Sequence, residues 1–155
     1  MPARSSFDYA IFRITPLIER GERINVGVAL ICRQRRFLGL RVAVDADRLR
    51  ALWPTLDVEA ISRQLDGLRR VAEGDPTAGP IARLSQAERF HWLVAPSSTI
   101  IQPSPPHSGL CEHPAATLEN LMARLVLPPG AEVTKQQRRR LLRELSQASQ
   151  QAGLD

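Results

Sequence analysis

The stretch that decides the fold runs Arg20-Gly-Glu-Arg-Ile-Asn-Val-Gly-Val-Ala-Leu-Ile-Cys32, then Arg33-Gln-Arg-Arg36, then Phe37-Leu-Gly-Leu-Arg-Val-Ala-Val44. Two apolar runs joined by four polar residues are the signal of a β-hairpin. Counting by twos places Ile24, Val26, Val28, Leu30 and Cys32 on one face, with Leu38, Leu40, Val42 and Val44 to match. The alternate positions, among them Asn25, Gly27, Ala29, Gly39, Arg41 and Ala43, are mostly small or polar. The hairpin thus predicts a core on one side and an open docking surface on the other.

Working outward, residues 7–15 are aromatic and β-branched, which suits a pleated, half-buried strand. Pro16 closes that strand because it has no N–H to donate to a ladder. Short links make the first three strands an antiparallel meander. Downstream, Asp45 or Asp47 caps a short helix that Pro54 stops. Asp57 opens a longer helix with Val58, Ile61, Leu65, Leu68 and Val71 in one stripe. Ser85-Gln-Ala-Glu88 is a capping box for a short helix carrying Phe90, Trp92 and Leu93. Ile100 and Ile101 centre a fourth strand over residues 98–102. The run from Pro103 to Pro114 reads as a stiff extended loop, since proline fixes its own φ and biases its predecessor. A helix with Leu118, Leu121, Met122, Leu125 and Val126 packs back onto the body. The expected architecture is α+β: a small antiparallel sheet, three-stranded meander plus a later strand, covered by helices on one face. Residues 1–131 form that domain, and residues 132–155 a basic helical tail with too little apolar surface to hold itself firmly.

At 155 residues the chain suffices for one ordinary core. Hydrophobic residues at 43% and charged ones at 24% exclude wholesale disorder. No apolar run approaches the ~20 residues of a membrane helix, and the start Met-Pro-Ala-Arg-Ser-Ser lacks the core of a secretion signal. A cytoplasmic protein with no membrane contact is expected. Cys32 and Cys111 suit that compartment as core thiols, with a disulfide between them left open. The net charge of +5 raises nucleic acid as a partner. Residues 132–155 carry five basic against three acidic residues, net +2, so the rest of the chain holds only +3. Aromatics at 5% supply few stacking platforms, which weighs against that partner.

No motif specifies a reaction, so no catalytic residue, metal site or cofactor is assigned. His107, Cys111 and His113 have ligand types, but a structural zinc site wants four ligands in two pairs. His107-Ser108 are adjacent, yet nucleophilic catalysis needs a serine aligned with a base and an orienting acid from elsewhere in the fold. The binding candidates are Arg13, Arg20, Arg23, Asn25 and Arg41, planar donors for a carboxylate or phosphate around the hairpin, joined by Gln102 and His107 from the proline-rich loop. The bland alternative is a solvated network with Glu19 and Glu22. In the tail, Lys135, Arg138, Arg139, Arg140 and Arg143 are candidates for partner or nucleic-acid contact.

Phe7-Asp-Tyr-Ala-Ile-Phe-Arg13, Glu19-Arg-Gly-Glu-Arg-Ile-Asn-Val-Gly-Val28, Arg35-Arg-Phe-Leu-Gly39 and Ile101-Gln-Pro-Ser-Pro-Pro-His-Ser-Gly-Leu110 resemble the domain of unknown function 3037 family over residues 7–127. The resemblance implies a small bacterial cytoplasmic protein whose genes can lie beside those of HipA-type kinase-like proteins. It carries over no catalytic residues. The leading expectation is a non-enzymatic accessory protein binding a protein partner through the hairpin loop and the proline-rich loop, with a HipA-like kinase as one such partner. The alternatives are a small enzyme or ligand-binding domain for an anionic substrate, and nucleic-acid binding through the basic tail.

Overall fold

The computed structural model describes residues 3–96, 99–127 and 143–144. Five strands, β1 (Ser5–Ile14), β2 (Ile24–Cys32), β3 (Phe37–Val42), β4 (Ile101–Pro103) and β5 (His107–Cys111), form one antiparallel sheet. Its order is β3-β2-β1-β4, with β5 on the same edge of β1 as β4. The helices are α1 (Ala46–Leu52), α2 (Val58–Glu73), α3 (Gln86–Leu93) and α4 (Pro114–Leu125). The expected α+β class, the meander, and all four helices are therefore present. Among the described residues, no helix is long and apolar enough to cross a membrane.

The capping chemistry works as the side chains dictate. Asp45 Oδ1 accepts from the Arg48 amide at 3.1 Å, Asp57 Oδ1 from the Ala60 amide at 3.0 Å, and Ser85 Oγ from the Glu88 amide at 3.2 Å. Each satisfies one of the donors a helix start leaves open. Helix α2 ends at Gly74 with φ 74°, a left-handed conformation that glycine adopts without a Cβ clash.

The helical cover is where the structure departs from the sequence reading. Helices α1, α2 and α3 bury one face of the sheet around Phe12, Ile14, Ile31, Leu40, Leu65 and Phe90. Helix α4 covers the second face, packing Leu118, Leu121 and Met122 on Phe7, Val28, Leu30 and Cys32. So the sheet has two cores, and the side expected to stay open is half closed. The register explains why. Across the four-residue loop, Cys32 pairs with Phe37 and Ile31 with Leu38, so Leu38 and Leu40 share a face with Ile31 and Ala29 and not with Leu30. In addition β2 holds one extra residue. Phe12 faces Gly27 but Arg13 faces Asn25, leaving Val26 without a partner on β1. This bulge lets Ile24 and Val26 join the α1–α3 core while Val28, Leu30 and Cys32 join the α4 core. Gly39, read as room for a visitor, serves the protein's own packing, and so does Gly109 of β5. A Cβ on Gly39 would meet Leu118 and the Phe37 ring at 3.0 Å, and one on Gly109 would meet the Phe7 ring at 2.7 Å.

The proline-rich run is also not simply a loop. Its second half is β5, which pairs along Ser5 to Tyr9 of β1, while β4 pairs along Phe12 to Ile14. Between them the register slips by one residue at Ser104-Pro105-Pro106. Ser104 serves both backbone groups of Ile11 at this slip: the Ile11 amide donates to Ser104 Oγ at 2.9 Å, and the Ser104 amide donates to the Ile11 carbonyl at 2.7 Å. Ser104→Ala removes the acceptor and leaves the Ile11 N–H unsatisfied. It is expected to cost about 1–3 kcal/mol, read as a lower urea midpoint with an unchanged m-value.

Candidate functional site

Because cross-strand partners point to the same face, the pairing of Arg13 with Gln102 on one side and Asn25 on the other sets these three side chains in a row across β4, β1 and β2. The row lies on the α4 side, since Phe12 and Ile14 turn into the opposite core. Asn25 Nδ2 donates to the Leu125 carbonyl at 2.9 Å. That carbonyl is one of the acceptors the end of α4 leaves open, so Asn25 clips the helix to the sheet. Arg13 is half-buried, and its Nε has no hydrogen-bond partner. Burial, and then the nearby Arg23 cation, pull the Arg13 guanidinium below its ordinary pKa.

Beyond Asn25 the chain closes a cleft that sequence reasoning did not find. Arg23, Arg48 of α1 and Arg124 of α4 bound it together with Asn25, Leu125 and Val126. Among the described residues, no acidic side chain lines it. Among the described residues, Arg13, Arg23, Arg48 and Arg124 make no ion pair, as is also true of Arg4, Arg35, Arg36, Arg50, Arg63, Arg83 and Arg89; Arg20, Arg33, Arg41, Arg69 and Arg70 do. Arg48 and Arg124 lie far from the hairpin in sequence and had no motif to mark them. Only the packing of α1 and α4 beside β2 brings them to it.

The other sequence candidates are elsewhere. Arg20 pairs with Glu22 within its own loop, whereas Arg13, Arg23 and Arg41 make no ion pair with Glu19 or Glu22 among the described residues. Arg41 pairs with Glu119 and so helps hold α4. His107 lies against Tyr9, ring centroids 5.3 Å apart, farther along β1 than the row. Positions 9 and 13 of an extended strand are about 13 Å apart, so His107 is not part of the arginine cluster. Ser108 donates to Asp8 Oδ1 at 2.7 Å and, as the next residue in the strand, points away from His107. No Ser-His pair forms. Among the described residues, no three His, Cys, Asp or Glu side chains stand close enough to hold a metal ion. Lys135, Arg138, Arg139 and Arg140, with most of the expected tail helix, lie outside the described residues, and Arg143 is exposed.

Cys32 and Cys111 are free, buried thiols in the α4 core. Burial, reinforced by Cys32 beside it, pushes the Cys111 thiol above its ordinary pKa. Less of it is therefore thiolate at any given pH below that value, and the thiolate is the nucleophile.

The fold and the cleft define the class: a small α+β protein whose antiparallel sheet carries helices on both faces, with an arginine-lined cleft where the second cover ends. The chain belongs to the family described as protein of unknown function (DUF3037), whose model matches residues 9–126. That span takes in the whole row and the three arginines of the cleft. No curated protein and no solved structure matches the chain.

Two outcomes follow from this geometry. Asn25→Ala should lower stability by about 1 kcal/mol and speed amide exchange at Val126 and Leu127, whose N–H groups both donate to the Met122 carbonyl at 3.0 Å. An aromatic disulfide reagent at pH 8 should leave both cysteines of the native protein unmodified and titrate both once denaturant is added. Rapid native labelling of Cys111 would contradict its burial.

Proposed function

We propose that this protein is a non-catalytic binding protein that recognises an anionic group in the cleft bounded by Arg23, Arg48 and Arg124. The observation that carries the reading is convergence: Arg23, Arg48 and Arg124, from a strand entry and two helices, bound one cleft, and none of them has an ion pair among the described residues. Three like charges gathered at one cleft repel, and a bound anion lowers that cost while accepting charge-assisted hydrogen bonds. Guanidinium groups suit the task because their planar forks match carboxylate and phosphate oxygens.

The accessory role in a bacterial cytoplasm fits this reading. An anionic group carried by a partner, a HipA-like kinase among the candidates, would enter where α4 stops. Tyr9, Ile11 and Arg13 stay half-buried beside it because α4 lies mainly over β2 and β3 and meets β1 chiefly at Phe7. That strip, with exposed His107 at its far end, supports a protein contact adjoining the anion site.

Thermal unfolding at constant ionic strength tests the proposal. Phosphate or sulfate at about a hundredfold over its Kd should raise the Tm by about 5–10 °C. The double variant Arg23→Ala, Arg124→Ala should lose that shift while keeping its own stability within about 0.5 kcal/mol, as both residues are exposed. Equal shifts in the two proteins, or no shift in the parent, would end the proposal.

A further inference from the structure

The arginine cleft, about 210 Å³, adjoins a larger cavity of about 410 Å³. Ile24, Asn25, Arg48, Val126 and Leu127 line both, so the two are compartments of one depression. Their chemistry differs. The first compartment is cationic, while the second is walled by Val26, Ala43, Val44 and Ala46, with Asp45 and Asp47 beside them. The smaller space accommodates an anionic head, and the larger is in the range of small-ligand pockets, about 300–1,000 Å³.

We infer that the depression takes a small phosphate monoester with an apolar, ring-sized organic group; this rests on the anion-binding reading above. The phosphate lies among Arg23, Arg48 and Arg124, and the organic group lies over the partly exposed Ala43, Val44 and Ala46. Three guanidinium groups are more than one carboxylate uses, since a single fork satisfies both of its oxygens. A dianionic phosphate has three terminal oxygens to occupy them. The carboxylates of Asp45 and Asp47 set a limit at the other end. They repel a second anionic group, so a monoester fits where a polyphosphate or a nucleic-acid backbone does not. Asp45 is held in place by its bond to the Arg48 amide, which ties the acidic end to the same short helix that supplies one of the arginines.

A ligand series tests this on the full chain without altering the fold. Inorganic phosphate, methyl phosphate and phenyl phosphate are titrated calorimetrically at fixed pH and ionic strength, alongside a phosphotyrosine peptide. The expected result is binding of all three small probes, with phenyl phosphate about tenfold tighter than methyl phosphate because only it fills the apolar compartment. Arg124→Ala should weaken each small probe by about tenfold, the loss of a hydrogen bond to a charged group. If inorganic phosphate binds but the series is flat, the monoester inference fails and the anion reading stands. If none of the probes binds, both fail. A phosphotyrosine peptide that binds more than tenfold tighter than phenyl phosphate would overturn the small-ligand assignment in favour of a phosphorylated protein.

Discussion

One unpaired residue in β2 governs the geometry of this molecule. Val26 has no partner on β1, so the register between the two strands shifts between Phe12 and Arg13. Were the ladder regular, Arg13 would face Val26, and Asn25 would face Ile14 and the helices of the first core. The bulge instead sets Asn25 beside Arg13 on the side of α4, and Ile24 beside Ile14 in the first core. The backbone loses little by it, because the Val26 carbonyl accepts from the Ala43 amide at 2.8 Å. Gly27 beside it lets β3 come close: a Cβ there would stand 2.7 Å from the Arg41 carbonyl oxygen.

From that displacement the site follows by packing. Asn25 reaches the end of α4 and holds it, and the end of α4 carries Arg124 to the mouth of the hairpin. The far side of the same mouth is α1, whose Arg48 amide is bound by Asp45. Each arginine is thus brought by an element with its own reason to be there: a capped helix, a clipped helix end, and a strand entry. What sets the cleft apart is that three arginines from separate elements meet at it, whereas the exposed bridges elsewhere, such as Arg69 with Asp66 and Glu73, contribute little energy.

The second face of the sheet is divided between structure and access. Helix α4 uses the β2 and β3 half, where Gly39 lets Leu118 approach closely. The β1 half keeps Tyr9, Ile11 and Arg13 only partly covered. Edge pairing there is blunted by Pro103, Pro105 and Pro106, which have no N–H to offer a further strand, while Ser104 Oγ accepts the Ile11 amide at the slip. Hence the outer edge of the sheet is protected while the surface above β1 remains reachable.

Local chemistry in the sequence determined the elements themselves. Alternation announced the hairpin and the first strand; Asp45, Asp57, Ser85 and Pro114 announced four helix starts; Arg13, Arg23 and Asn25 stood out as donors near one loop. These are properties of neighbours within a few residues, and they survive into the fold. What tertiary structure alone decided was which face each residue joined and which distant residues met. Counting by twos assumes an unbroken strand, and one extra residue inverts the faces beyond it, a break that Gly27 within an apolar strand was the available sign of. Strand β5 was hidden because its residues pair only through the length of β1, and Arg48 and Arg124 were hidden because nothing in their own segments differs from ordinary solvent-facing helix positions. Their common cleft exists only once α1 and α4 are packed on opposite faces of the sheet, a relation between distant parts of the chain that no local pattern encodes.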